Sequence, residues 1–437
     1  MRSAPRIGPA RACARSLLAA PLLASTAVSA QTYEPLLDTD IPFSIPSLRN
    51  KTVLERPHPE LVPQGIGAGG FRIYPELGTE PGYTSNALGA SVAAREDSFV
   101  TVEPRIRAES QWSRHALGIS LGYRARRYAG VSAKNEDGFR LRADGRLDLH
   151  GESSLIAGFG YERSYEQQYT GSFPANGGAS IAVQHPSALL RGTFVANRLR
   201  LIASADHNRF DYSDTTALDG TPLDQDYRDR RVFRASTRAE YLFAADSSAF
   251  VQGTYRRTRY DDRSSVLTDR TSREVRLVAG FVGDVTPIIR AAIGVGYADR
   301  RYDRPGIRPV RDVVADVRLD YNITPLTTFS LVGQRGIEEA IVQDAAGYVA
   351  TRLAIRADHE LLRNLLLNIS AERESDDFKG IARRDRLTRI SAGAAYTMSR
   401  NVLLTPQLDY IRRRSEGVSA GSNFKEVRFA LRASFRI

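Results

Sequence analysis

The groups able to do chemistry in this chain are few and poorly placed for it. Its six histidines are His58, His115, His150, His185, His207 and His359, and none sits in HExxH, GxSxG or a metal-binding spacing. The stretch His150-Gly-Glu-Ser153 holds a base, an acid and a hydroxyl close together, as an activated nucleophile requires. Glycine and serine are ordinary turn formers, however, and the segment reads as a tight turn. Asp261, Asp262 and Asp269 supply hard oxygen ligands suited to calcium between phosphorylated headgroups, but carboxylates in a polar loop are ordinarily just solvated. Asp137-Gly138 and Asp219-Gly220 read as loop turns before they read as sites. The sequence therefore predicts no enzyme, no metal and no cofactor.

What remains is charge, and its spacing is regular. Residues 139–150, FRLRADGRLDLH, separate by parity: Phe139, Leu141, Ala143, Gly145, Leu147 and Leu149 alternate with Arg140, Arg142, Asp144, Arg146, Asp148 and His150. A period of two is that of a strand whose faces meet different solvents. Twelve residues is about twice the usual soluble strand and suits a tilted crossing of a membrane of roughly 9–11 residues. The same alternation places Arg234, Arg238 and Glu240 opposite Phe233 and Tyr241, and sets Asp316, Arg318 and Asp320, and Arg352 and Arg356, on single faces. These charged residues are the candidates for lining a polar lumen. Such a ring either favours acidic solutes or braces the wall through Arg–Asp pairs on neighbouring strands.

From Phe71 onward the unit recurs, about a dozen alternating residues and then a turn. Examples are FVTVEPRIRA (99–108), HALGISLGYRARRY (115–128) and SLIAGFGYERSY (154–165). Counting them predicts an all-β, transmembrane, antiparallel up-and-down β-barrel of about eighteen strands, within 16 to 18. Short turns at 150–153, 197–198, 244–248, 284–287, 323–326 and 398–401 alternate with longer polar connections. The longer ones are 84–97, 129–137, 166–186, 211–229, 261–271, 299–311, 340–346, 375–385 and 413–424. That pattern is one of tight periplasmic turns and long extracellular loops, with both barrel termini in the periplasm. The last strand carries Val427, Phe429, Leu431, Ala433, Phe435 and Ile437 on one parity, the amphipathic end that the barrel-assembly machinery reads.

Composition agrees. Nineteen Tyr and 17 Phe accompany a mean hydropathy of −0.33, as expected when alternate residues of many strands face water and lipid. Residues 1–30 read as a signal peptide: Arg2, Arg6, Arg11 and Arg15 precede the apolar SLLAAPLLASTAV and the small residues Val28-Ser29-Ala30. Its removal would also remove Cys13, the only cysteine, leaving no disulfide framework. Residues 31–69 carry Pro35, Pro42, Pro46, Pro57, Pro59 and Pro63 and read as an extended periplasmic segment or plug. Formal charge is +11, almost all of the base being arginine. Its spread along strand after strand excludes a nucleic-acid patch. Arg124, Arg126, Arg127, Arg256, Arg257, Arg259, Arg300 and Arg301 gather near the outer ends of strands, where they face the lumen or contact lipopolysaccharide from outside.

The segments RPHPELVPQGIGAGGFRIYPEL (56–77), WSRHAL (112–117) and LRADGRLDL (141–149) resemble the putative β-barrel porin type 2 family. The resemblance implies an outer-membrane β-barrel porin of Gram-negative bacteria, often associated with exopolysaccharide biosynthesis. It carries no catalytic residues to transfer. The function expected is passage of a polysaccharide or small anionic solute across the outer membrane, with lipid, lipopolysaccharide and periplasmic polysaccharide-export proteins as partners. The alternatives are a plugged structural or surface-binding barrel and a barrel enzyme, which the scattered histidines disfavour.

Overall fold

A computed structural model describes residues 50–437, except 57, 172, 262–268, 341–344 and 346. The signal-peptide reading, residues 31–49 of the proline-rich reading and Asp262 lie outside the described residues.

Among the described residues, eighteen long strands follow one another: β1 (Phe71–Thr84), β2 (Asp97–Ser110), β3 (Ala116–Tyr128), β4 (Glu136–Asp148), β5 (Ser154–Tyr165), β6 (Ala182–Ala196), β7 (Leu199–Tyr212), β8 (Arg230–Ala244), β9 (Ser247–Tyr260), β10 (Ser272–Thr286), β11 (Ile289–Tyr302), β12 (Val310–Thr324), β13 (Thr327–Glu338), β14 (Gly347–Leu362), β15 (Leu365–Lys379), β16 (Arg383–Ser399), β17 (Val402–Gly417) and β18 (Phe424–Arg436). Each pairs antiparallel with the next, and β18 returns to β1, with Leu77 opposite Phe435 and Thr84 opposite Arg428. The sheet is therefore a closed up-and-down barrel, which leaves no unpaired edge in the hydrocarbon. At the seam β1 carries Pro75 and Pro81, which donate nothing to the ladder, and its register to β18 skips Glu80 and Pro81.

The period of two sorts the side chains as read. Leu147, Leu155, Phe159, Val295, Leu353, Phe429 and Phe435 are exposed on the outer wall, where lipid replaces water. The strands outrun the alternation at the long-loop end. The expected connection 375–385 shrinks to 380–382, 299–311 to 303–309, 166–186 to 166–181 and 413–424 to 418–423. Asp137-Gly138, expected in a loop, lies inside β4. The reason is that both faces are polar there: buried Asp376, Arg383 and Asp385 face inward and Asp377, Lys379 and Arg384 face outward, so polarity does not alternate although burial does. At the opposite end the connections are short, and five hairpins shift register beside their turns, between Leu242/Ala244, Asp284/Thr286, Asn322/Thr324, Glu360/Leu362 and Thr397/Ser399. Such bulges increase local twist and help the sheet curve shut.

The interior is not uniform. On β9–β12 the inward positions Phe250, Val278, Val282, Ala292, Val310 and Val314 are buried against one another. Buried charges sit among them: Arg276 pairs with Asp316 at 2.8 Å, and Arg300 reaches Glu274 at 2.7 Å and Glu339 at 2.7 Å while donating to the Ile337 carbonyl at 3.0 Å. Removing one member of such a set strands the others without water. Arg300→Met is expected to lower the unfolding free energy by about 3–5 kcal/mol. Arg300→Met with Glu274→Gln should recover part of that loss. The readout is urea unfolding in detergent followed through Trp112, the single tryptophan, packed edge-on to Phe71 at 5.6 Å.

Candidate functional site: a lumen with one wet wall

Strand register places every candidate charge on the inward face, and ion pairing accounts for each. Arg142 pairs with Asp144 at 3.3 Å, Arg146 with Asp148 at 2.8 Å, Arg238 with Glu240 at 2.6 Å, Arg318 with Asp320 at 3.2 Å and Arg356 with Asp358 at 2.6 Å. All five pairs join residues two apart on one strand, which the expectation of braces between neighbouring strands had not included. Residues i and i+2 share a face about 7 Å apart, within reach of a guanidinium. Cross-strand braces occur too, in Arg140–Glu162 at 2.5 Å, Arg234–Asp206 at 2.9 Å and Arg352–Glu374 at 2.9 Å.

Solvent divides these residues. Arg234, Arg238, Glu240, Asp316, Asp320 and Arg352 are largely buried, and Arg238 also stacks on Phe250 at 3.8 Å. These six brace the wall. The β4 set is open to water, and it is polarised: Arg140 is 54% exposed against 29% for Glu162, and Arg142 60% against 35% for Asp144. Arg318 and Arg356, 48% and 44% exposed, pair with aspartates that are 2% and 3% exposed. Each pair is formally neutral, yet its positive end is the one presented.

The wet wall has a shape. Across β2, β3 and β4, Arg107 lies opposite Ser120 and Ser120 opposite Arg142, while Arg105 lies opposite Gly122 and Gly122 opposite Arg140. One strand further, Arg142 lies opposite Gly160 and Asp144 opposite Gly158. The small inward residues Gly118, Ser120 and Gly122 of β3 thus form the floor of a trough with arginines on both banks. Arg105 and Arg107 were legible in FVTVEPRIRA, whose alternation is as regular as that of β4. The partnership of small and basic residues on adjacent strands was not.

Two segments cross the lumen. Asn50 donates to the Thr286 carbonyl at 2.8 Å, the Val53 amide to Thr328 Oγ1 at 3.0 Å, and Arg436 to the Leu61 carbonyl at 3.3 Å. Residues 50–56 and 58–61 therefore run from the ends of β10 and β13 to β18, a chord across the short-turn mouth, with Val53 buried. Ile66–Ala68 then pairs with the start of β1. At the long-loop mouth, residues 166–171 and 173–181 reach from β5 and β6 to the far wall, where Tyr169 is buried against Leu387, Ile411 and Phe424. Their near end is held by Phe173 and Ile181 packed on Phe210, Tyr212 and Val232, and by Arg228–Glu166 at 2.8 Å. Lys134 lies over the Phe173 ring at 4.9 Å, and burial pushes its ammonium down to about 8. Asp214, Asp224 and Asp226 bring carboxylates together at the rim, all three exposed.

Tyr169→Ala is expected to free the loop, accelerating hydrogen exchange across 166–181 by about 100-fold, equivalent to about 3 kcal/mol of lost aromatic burial. In the neighbouring loop, burial and then the carboxylates of Asp211, Asp226 and Asp261 push Asp229 up from 3.8 to about 6, against the Tyr212 amide that it accepts. The folded loop holds that proton more tightly than the free side chain does, so its contribution is full below pH 3.8 and is lost as pH rises through about 6. Exchange in 213–229, corrected for intrinsic rate, should be slower at low pH, and Asp229→Asn should abolish the difference.

The model of the family described as Putative beta-barrel porin 2 matches residues 58–436. No curated protein matches the chain significantly. Among solved structures, Pseudomonas aeruginosa OpdL is 13% identical, covering 85% of this chain and 100% of that chain with a TM-score of 0.46. Acinetobacter baumannii OccAB3 is 11% identical, covering 84% and 99% at 0.47. Pseudomonas aeruginosa OpdQ is 12% identical, covering 87% and 99% at 0.47.

Proposed function

Because the chain belongs to the putative beta-barrel porin 2 family of outer-membrane β-barrels, we propose that it is a channel for small anionic solutes along the arginine-banked trough of β2–β5. The observation that carries this reading is the polarity of the ion pairs: the guanidinium groups are more exposed than the carboxylates they pair with, 54% against 29% for Arg140 and Glu162 and 60% against 35% for Arg142 and Asp144. A low-dielectric wall concentrates that field, raising local anion concentration without any net excess of charge. Long loops then stand outside the cell and short turns, with both barrel ends, in the periplasm.

The two chords set the size of the cargo. Residues 50–61 at the periplasmic mouth and residues 166–181 at the outer one leave the trough as the open path. Carriage of a polysaccharide, which the family resemblance implies, is the second reading, and it requires both segments to be displaced. Periplasmic export proteins gripping the proline-rich segment would be the agents of that displacement.

The test is conductance of the refolded full chain in planar bilayers under a potassium chloride gradient. Anion preference is expected, falling by about tenfold at low salt in Arg107→Gln with Arg142→Gln, and by less at molar salt. Gly122→Leu, whose Cβ would meet nothing closer than 3.9 Å, should fold and narrow the trough, lowering conductance without changing selectivity. Deleting residues 31–69 should raise conductance. Cation preference in the full chain, or selectivity indifferent to Arg107 and Arg142, would sink the anion reading.

A further inference from the structure

The outward face at the long-loop end carries a pattern that the channel does not use and that wall bracing only partly explains. Arg209 on β7 lies directly opposite Arg231 on β8, and Arg231 directly opposite Arg259 on β9. One step toward the membrane along β9, Arg257 lies opposite Arg273 on β10, and Arg273 opposite Arg301 on β11. Neighbouring strands are about 4.8 Å apart, and like charges directly opposite one another destabilise a sheet. Nearby carboxylates answer four of the six: Asp211 and Asp261 contact Arg209, Asp261 contacts Arg231, Asp303 contacts Arg257 and Asp299 contacts Arg301. Arg259 and Arg273, both exposed, form no ion pair among the described residues.

Depth along the strands identifies what can supply the missing negative charge. Toward the membrane from the two rows, past His207 on β7 and Asp299 on β11, the outward residues are Phe233, Tyr255, Val275, Leu277, Val295 and Tyr297, all exposed. Aromatic and aliphatic side chains facing outward mark the edge of the hydrocarbon. The arginines are thus at headgroup height, in the leaflet that the long loops adjoin. Guanidinium pairs phosphate bidentately, more strongly than a point-charge ammonium does, and all six basic residues here are arginine.

We propose that Arg209, Arg231, Arg259, Arg257, Arg273 and Arg301 form a site on the outer wall for the phosphate groups of a phosphorylated glycolipid of the outer leaflet. Its two rows, offset by two residues on β9, match two phosphates on one sugar headgroup better than they match one. This rests on the outer-membrane orientation given above and not on any solute passing through the lumen.

The test uses the full chain folded in neutral detergent and native mass spectrometry, with three probes: a diphosphorylated acyl-glucosamine disaccharide, its dephosphorylated form, and inorganic pyrophosphate. The diphosphorylated lipid is expected to bind, and Arg259→Gln with Arg273→Gln to weaken it by about tenfold or more. Without lipid the double variant should unfold at the same or a higher temperature, since a repulsion has been removed, and its conductance should be unchanged. Equal binding of the dephosphorylated lipid, undiminished binding by the variant, or displacement by equimolar pyrophosphate would each overturn the proposal. Arg142→Gln separates the two readings: it faces the lumen, so it should alter ion selectivity and leave lipid binding intact.

Discussion

An arginine and a carboxylate two residues apart on one strand are the device on which this barrel depends. The pleat puts both on the same face, so the pair forms as soon as the strand does, without waiting for a neighbour to arrive in register. A closed wall of eighteen strands has to carry charge into a space where much of the water is gone, and a charge that enters alone costs several kcal/mol. Arg238–Glu240, Arg318–Asp320 and Arg356–Asp358 enter as pairs. The cross-strand partners, such as Arg234–Asp206, then tie adjacent strands together.

What distinguishes wall from path is which end of the pair meets water. Where Phe250, Val278 and Val282 fill the space, the pairs are internal and their role is cohesion. Where β3 and β5 offer glycine and serine, there is room for water, and the longer guanidinium extends into it while the shorter aspartate stays against the sheet. A field arises from the difference in side-chain length alone.

The sequence was an accurate guide wherever two solvents meet across a strand. All eighteen strands follow from the period of two, and the alternation of short and long connections from the polar stretches between them. It was a poor guide where both faces of a strand are polar, and so Asp376–Lys379 and Arg383–Asp385, with Asp376, Arg383 and Asp385 buried, looked like loop. It offered residues 31–69 as an extended periplasmic segment or plug, but gave no sign of what either chord touches. Tyr169 meets Leu387, Ile411 and Phe424, and Asn50 meets Thr286, through contacts more than 200 residues apart, and no local pattern of residues encodes such distances. The division of the inward charges into dry and wet was hidden for the same reason: it depends on what stands across the lumen from each.

The seam between β1 and β18 has a consequence for how such a molecule comes into being. Every other pair of strands is joined by a hairpin, so each can zip from its own turn at small entropic cost. The seam joins Leu77 to Phe435, the two ends of the barrel, and does so through a strand whose two prolines withhold donors from the ladder. Until that last join is made, β1 and β18 are both open edges able to pair with any strand that offers itself. The hairpins can therefore form early and in any order, but the commitment from ribbon to cylinder is a single late event. Its timing is governed by the meeting of two distant edges and not by the strength of any pairing along the way.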